Sequence, residues 1–236
     1  MAAPNPPSTT VALIDLDHFK AVNDTYGHLV GDALLAEAAR RMAAQMPKRA
    51  LLCRMGGDEF AIVFNKASAD QVELVAKSII SALSQPFFLA DQVLHIGATV
   101  GSACAPFDAC DAGTLLRYAD LALYEAKATQ RGSYRKFEIA MDETAQKRSR
   151  LELEFREAVC RGDLKVHYQP LVNLNTGELQ GYEALLRWHH AEWGDVAPDV
   201  FIPLAEDLGL IDHVGQHVLR TACLEVAQWD AHITPP

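Results

Sequence analysis

Asp58 and Glu59 stand side by side behind Gly56-Gly57, between the apolar runs Ala50-Leu51-Leu52-Cys53 and Ala61-Ile62-Val63-Phe64. Two apolar runs joined through Gly-Gly predict a β-hairpin. Glycine at both turn positions accepts positive φ without Cβ strain. The hairpin tip then carries two adjacent carboxylates, within reach of a metal ion or a phosphate. The plain alternative is a solvated turn. Upstream, the apolar strand Val11-Ala12-Leu13-Ile14 runs into Asp15-Leu16-Asp17. A strand that ends in carboxylates presents them at the edge of a sheet. Mg2+ takes hard oxygen ligands, usually one or two carboxylates plus substrate phosphates. Asp15 and Asp58, on neighbouring strand ends, suit such a site. Asp15 also reads as the cap of a helix signalled by Phe19-Lys20-Ala21-Val22, a role that Asp17 fits better.

These groups need elements to hold them. A strand is expected over 10–16, a short helix over about 17–24 and a longer helix over about 30–46, with Leu34, Leu35, Ala38 and Met42 on one face. The hairpin follows at 50–65. Val72, Val75, Ala76, Ile79, Ile80 and Leu83 recur at helical spacing over 69–83. A strand over 93–105, a helix over 112–128 and a closing edge strand over 134–139 complete a sheet with helices packed on it, an α/β or α+β domain. From 141 to 163 charges of both signs alternate along a helical pattern, with Leu151, Leu153, Phe155 and Val159 as a thin apolar stripe. This reads as a linker helix. Residues 164–236 form a second unit. A strand spans 164–170 and a turn Asn175–Glu178. A second strand spans 179–188, and a helix runs from Phe201 to about Trp229.

At 236 residues the chain allows one or two domains, and 50% hydrophobic residues supply a core. A net charge of -10 argues against a nucleic-acid-binding surface, which needs clustered Lys and Arg. It leaves room for a nucleotide whose charge a metal neutralises locally. The five cysteines are scattered, with no Cys-x-x-Cys pair, and read as reduced thiols of a cytoplasmic protein. No apolar run is long enough to span a membrane. The Pro-rich lead, residues 1–9, reads as disordered rather than as a signal peptide.

The string Asp15-Leu16-Asp17-His18-Phe19-Lys20-Ala21-Val22-Asn23-Asp24 is followed by Tyr26-Gly27-His28, Gly31-Asp32 and Gly56 to Phe60. Tyr118-Ala119-Asp120, Ala122-Leu123-Tyr124, Ala126-Lys127 and Arg131 continue the series. In order and spacing it resembles the GGDEF family of diguanylate cyclases, over residues 10–140. The resemblance implies condensation of two GTP into cyclic di-GMP, with two pyrophosphates released, by a homodimer. It implies Mg2+ (or Mn2+) held by Asp15, Asp58 and the Leu16 carbonyl. Asp58 is the family's candidate base, assisted by Glu59. Asn23 and Asp32 match guanine readers, and Phe19 and Lys20 lie at the phosphate side. Gly56 and Gly57 allow close backbone approach, and Lys127 and Arg131 match the holders of the β- and γ-phosphates. His18 and His28 fit no zinc pattern and read as structural or nearby polar groups, His28 standing with the substrate-binding set.

Pro47-Lys48-Arg49-Ala50 stand where many members carry the Arg-x-x-Asp of product feedback, so little such inhibition is expected. Only nine residues precede Thr10. The family's leading helix, with its Asp-x-Leu-Thr-like motif, is therefore expected to be missing, and Arg54 to lack its acidic partner. The family's Gly-Arg-Asn reads Gln130-Arg131-Gly132 here, with the arginine kept.

Beyond the linker, Tyr168-Gln169-Pro170, Glu183-Ala184-Leu185 and Phe201-Ile202-Pro203-Leu204-Ala205-Glu206 resemble the opening of the EAL family of cyclic-di-GMP phosphodiesterases. Gln169, Glu183 and Arg187 match positions of that family's site. Its fold is a TIM-like barrel, which takes ~250 residues, so 164–236 are expected to form an incomplete barrel without phosphodiesterase activity. Tyr168, Leu185, Trp188, Phe201 and Leu204 are then expected to face water or a partner.

Overall fold

The computed structural model describes residues 8–89 and 92–229. The chain divides into two compact units, Met1–Ala145 and Gln146–Pro236. In chain order the first holds β1 (Thr9–Asp17), α1 (Phe19–Tyr26), α2 (His28–Gln45), β2 (Leu51–Gly56), β3 (Glu59–Asn65) and α3 (Ala69–Leu83). It continues with β4 (Phe87–Leu89), β5 (Gln92–Leu94), β6 (Gly97–Ala105), α4 (Ala112–Thr129) and β7 (Tyr134–Lys136). Helix α5 (Ile139–Arg161) begins in the first unit and ends in the second, which holds β8 (Lys165–Val172), β9 (Leu179–His190), β10 (Gly194–Val196), α6 (Pro198–Asp207) and α7 (Ile211–Val226).

The main sheet has the order β2-β3-β1-β6-β7. β1 runs antiparallel to both β3 and β6, and β7 adds parallel to β6, so the sheet is mixed. Period-two alternation sends side chains to opposite faces. On one face Ala12, Ile14, Leu16, Phe60, Ile62, Phe64, Ala98 and Val100 pack against Leu34, Leu35, Ala38 and Met42 of α2 and Val72, Ala76, Ile79 and Leu83 of α3. On the other, Val11, Leu13, Val63 and Ala103 meet Leu115, Ala119 and Ala122 of α4. Each fully buried Leu, Ile or Phe contributes about 1.5–3 kcal/mol. Gly101 sets how closely α4 approaches. A Cβ there would lie 2.0 Å from the Leu123 amide nitrogen.

The second unit has its own core, Leu151, Phe155 and Ala158 of α5 with Trp188, Phe201, Leu204 and Val214. Trp188, Phe201 and Leu204 are therefore buried, contrary to the expectation that they face water. Phe201 and Ala205 of α6 and Phe155 of α5 are fully enclosed, so these helices supply the cover that strands alone would lack. Tyr168 and Leu185 keep partial exposure. The apolar stripe of α5 falls on 151, 155 and 158, and Leu153 is 61% exposed, because residue 153 lies off the i, i+4, i+7 row.

Several boundaries differ from those read in the sequence. The stretch 93–105 is divided: β5 pairs with β4 in a separate hairpin, and β6 starts only at Gly97. The edge strand at 134 stops at Lys136. The expected long helix from Phe201 is two helices, with Gly209 at φ 66 between them, and β10 adds to β9. Thr9, placed in the lead, belongs to β1, while residues 1–7 of that lead lie outside the described residues. All five cysteines are free. No helix among the described residues is long and apolar enough to cross a membrane.

Candidate active site

Asp15 and Asp17 have the parity of Val11 and Leu13, so the C-terminal end of β1 turns both carboxylates to the α4 face. The register sets Glu59 directly opposite Asp15 on β3 and Thr99 opposite Asp15 on β6. Residues directly opposite in an antiparallel pair share a face, and like charges so placed repel. The row Glu59–Asp15–Thr99 therefore concentrates negative charge where α4 ends. Lys127, in the last turn of α4, answers it with Nζ 2.7 Å from Asp15 Oδ2.

Burial pushes the Asp15 carboxyl above the ordinary value of 3.8; Lys127 opposes the rise, and the Asp58 and Asp17 charges add to it. Asp58 is brought in by the hairpin. Its carbonyl accepts the Leu16 amide at 3.3 Å, tying the turn to the end of β1. The turn residues are Gly57 and Asp58 rather than Gly56 and Gly57. Gly57, at φ 51, takes the left-handed position, and Gly56 closes β2, with a register shift between Arg54 and Gly56. The shift places the two acids at turn and strand start instead of both at the tip. Arg54 donates from Nε to the Gly57 carbonyl at 3.0 Å, and among the described residues it has no carboxylate partner.

Asp17 is not a helix cap. It is the last residue of β1, 3% exposed, and the cap position of α1 falls to His18, at φ 65, which makes no side-chain capping bond. Thr99 Oγ1 lies 3.0 Å from each Asp17 carboxylate oxygen, and Arg131 Nη1 lies 3.2 Å from Asp17 Oδ1. The Gly132 amide donates back to Thr99 Oγ1 at 3.0 Å. Sequence reading missed Thr99. The available signal was its position in a strand paired with the one that ends in Asp15 and Asp17.

Asn23 of α1 packs on α2 where Gly31 leaves room. A Cβ on Gly31 would lie 1.9 Å from Asn23 Oδ1 and 3.3 Å from Phe19 Cζ. Phe19 is buried beneath it, while Lys20, His28 and Asp32 are exposed on α1 and α2. Among the described residues no hydrogen bond or ion pair ties those three to the carboxylate row. In the second unit Gln169 faces Glu183 across β8 and β9, and Arg187 has the parity of Glu183. Leu186, Trp188 and His190 take the other face.

Among the described residues no group of three or more His, Cys, Asp or Glu side chains gathers as a metal cage. A two-carboxylate site completed by a backbone carbonyl and substrate phosphates needs none. Asp15 and Asp58, joined through the Leu16–Asp58 bond, fit that donor set.

The model of the GGDEF domain, described as a diguanylate cyclase, matches residues 2–133, and the EAL-domain model matches 152–236. The first unit thus has the diguanylate-cyclase-like fold, and among solved structures it is similar to the GGDEF domain of YfiN (TpbB) from Pseudomonas aeruginosa. That likeness has a TM-score of 0.54 and 37% identity, over 56% of this chain and 83% of that one. The chain belongs to the GGDEF family, with a partial EAL domain following. It is 43% identical over 226 residues to an uncharacterized signaling protein of Caulobacter vibrioides, covering 94% of this chain and 28% of that protein. It is 39% identical over 219 residues to the bifunctional diguanylate cyclase/cyclic di-GMP phosphodiesterase MucR of P. aeruginosa, covering 93% of this chain and 32% of MucR. The chain thus spans about a third or less of the length of these relatives.

Proposed function

We propose that this protein is a cytoplasmic diguanylate cyclase that joins two GTP into cyclic di-GMP and releases two pyrophosphates. The observation that carries this reading is the end of β1, where Leu16 bonds the Asp58 turn and the neighbouring Asp15 pairs with Lys127. Phosphoryl transfer needs a positioned nucleotide, neutralised phosphate charge and an activated oxygen. In this reading Asn23 and Asp32 pair with the guanine edge, and Lys127 and Arg131 hold the terminal phosphates. Phe19 and Lys20 line the phosphate side, with His28 nearby. Gly57 keeps the turn free of a Cβ beside the nucleotide. Asp58 takes the proton of the 3′-hydroxyl, and Glu59 assists. Asp15, Asp58 and the Leu16 carbonyl hold Mg2+ or Mn2+, which when bound acidifies the attacking hydroxyl and neutralises phosphate charge.

Each 3′-hydroxyl must attack the α-phosphorus of the other GTP, so two copies face one another as a homodimer. With Pro47-Lys48-Arg49-Ala50 before the hairpin, product inhibition is weak. Labelled GTP turnover across a dilution series tests the assembly. The rate per subunit falls as the dimer dissociates; a flat rate down to demonstrably monomeric protein overturns it.

A second reading, a nucleotide-binding regulatory module without turnover, is favoured by Arg54 having no carboxylate partner among the described residues. Strand β2 is also exposed at every residue but Leu52.

A further inference from the structure

We propose that Thr99 is a positioning residue that fixes the Arg131 guanidinium and so sets the preference of the site for a triphosphate over a monophosphate. The assignment rests on the reading of the site as a GTP site. Thr99 is fully buried, and its hydroxyl both donates and accepts. It lies 3.0 Å from each oxygen of Asp17, to which its proton is donated, and it accepts the Gly132 amide at 3.0 Å. Arg131, next to Gly132, donates from Nη1 to the same carboxylate at 3.2 Å.

The four residues close a ring: Gly132 amide to Thr99, Thr99 to Asp17, Arg131 to Asp17. Two strands anchor it, and the turn after α4 hangs from it. Gly97, opposite Asp17 in the register, makes room, since a Cβ there would lie 3.0 Å from Asp17 Oδ2. A buried carboxylate with two partners and a glycine-shaped recess is a rigid support. The guanidinium has five N–H donors, and only Nη1 is engaged at Asp17. The Arg131 side chain remains 53% exposed, so its other donors face outward for phosphate oxygens. A guanidinium held in place loses less rotamer freedom on binding than a free one. That gain is confined to ligands that reach it, which are those with β- and γ-phosphates.

The test compares GTP and GMP binding by calorimetry in the full chain, with hydrogen exchange at the Gly132 amide. Thr99→Val should weaken GTP binding by about tenfold while leaving GMP within about twofold, the scale of one lost positioning bond. It should also speed exchange at Gly132, and Thr99→Ser should restore both. Because Thr99 acts through Arg131, Thr99→Val should add nothing to the GTP loss of Arg131→Ala. Thr99→Ala serves the same comparisons if the valine variant does not fold. Equal losses for GTP and GMP, additive losses in the double variant, or unchanged GTP affinity with faster Gly132 exchange would each overturn the assignment. Wild-type protein that binds no GTP would overturn the underlying reading instead, and the assignment with it.

Discussion

Lys127 Nζ lies 2.7 Å from Asp15 Oδ2, joining the last turn of α4 to the end of β1. In the proposed reading a divalent cation would use the same carboxylate, so the ammonium and the cation compete for Asp15. Cations at a helix C-terminus also gain from the helix dipole, so Lys127 is held there by more than Asp15.

Lys127→Met should therefore tighten Mn2+ binding measured without nucleotide, because the competitor for Asp15 is gone. GTP binding should weaken in the same variant by about tenfold or more, the cost of one charge-assisted contact. Electron paramagnetic resonance titration of free Mn2+ reads the first effect and calorimetry the second. Mn2+ affinity that falls along with GTP affinity would show that Lys127 supports the metal site instead of competing for it.

The Asp15 carboxyl should titrate above 3.8, since burial is the largest influence on it. Folding then favours its protonated form. That contribution is fully present below the unfolded pKa and is lost as pH rises through the raised folded value. Lys127→Met should raise the titration midpoint further, and Asp58→Asn should lower it. Carboxyl-resolved NMR titration checks all three directions. An Asp15 midpoint below the ordinary value would mean that Lys127 outweighs burial.

Gly31→Ala should separate stability from binding. A Cβ there meets the end of a flexible side chain, Asn23, at 1.9 Å. Alanine gains about 0.5–1 kcal/mol of helix propensity over glycine, so thermal stability should hold or rise. The displaced Asn23 amide should lose its guanine contact and GTP affinity should drop about tenfold. Unchanged GTP affinity would remove Asn23 from the guanine-reading set.

Much of this site was legible because its signals are local. Apolar runs marked β1 and β3, and helical spacing marked the core-facing residues of α2 and α3, of which Val75 and Ile80 are only partly buried. Asp15, Asp58 and Lys127 were named from a strand end, a hairpin and a motif; in the structure Lys127 pairs with Asp15, and the Asp58 carbonyl accepts the Leu16 amide. What escaped depends on register and tertiary contact. Asp17 reads as a cap because it precedes a helix, but β1 runs on through it and Thr99, 82 residues away, claims its carboxylate. The Gly-Gly turn shifted by one residue through an irregularity that no alternation pattern reveals. The core of the second unit was missed for the same reason. Trp188 and Phe201 are buried against Phe155, whose ring lies 5.1 and 5.7 Å from theirs, on a helix that reads as a charged linker with only a thin apolar stripe.

Phe201→Ala should cost about 3–5 kcal/mol, all of it in the second unit. Its core contains none of the residues of the main sheet. Denaturant unfolding followed by tryptophan fluorescence reports that unit alone, since Trp188, Trp193 and Trp229 all lie within it. GTP binding should be unaffected. A loss below about 1 kcal/mol would return Phe201 to the exposed role read from the sequence.

The central claim is that Asp15, Asp58 and Lys127 form a working cyclase site. Incubation of the purified protein with GTP and Mg2+, followed by chromatographic detection of cyclic di-GMP, tests it most directly. Cyclic di-GMP and pyrophosphate should appear in a ratio of one to two, and Asp58→Asn should abolish both while GTP still binds. Protein that binds GTP and dimerises yet yields no cyclic di-GMP would contradict the claim and leave a nucleotide-binding module in its place.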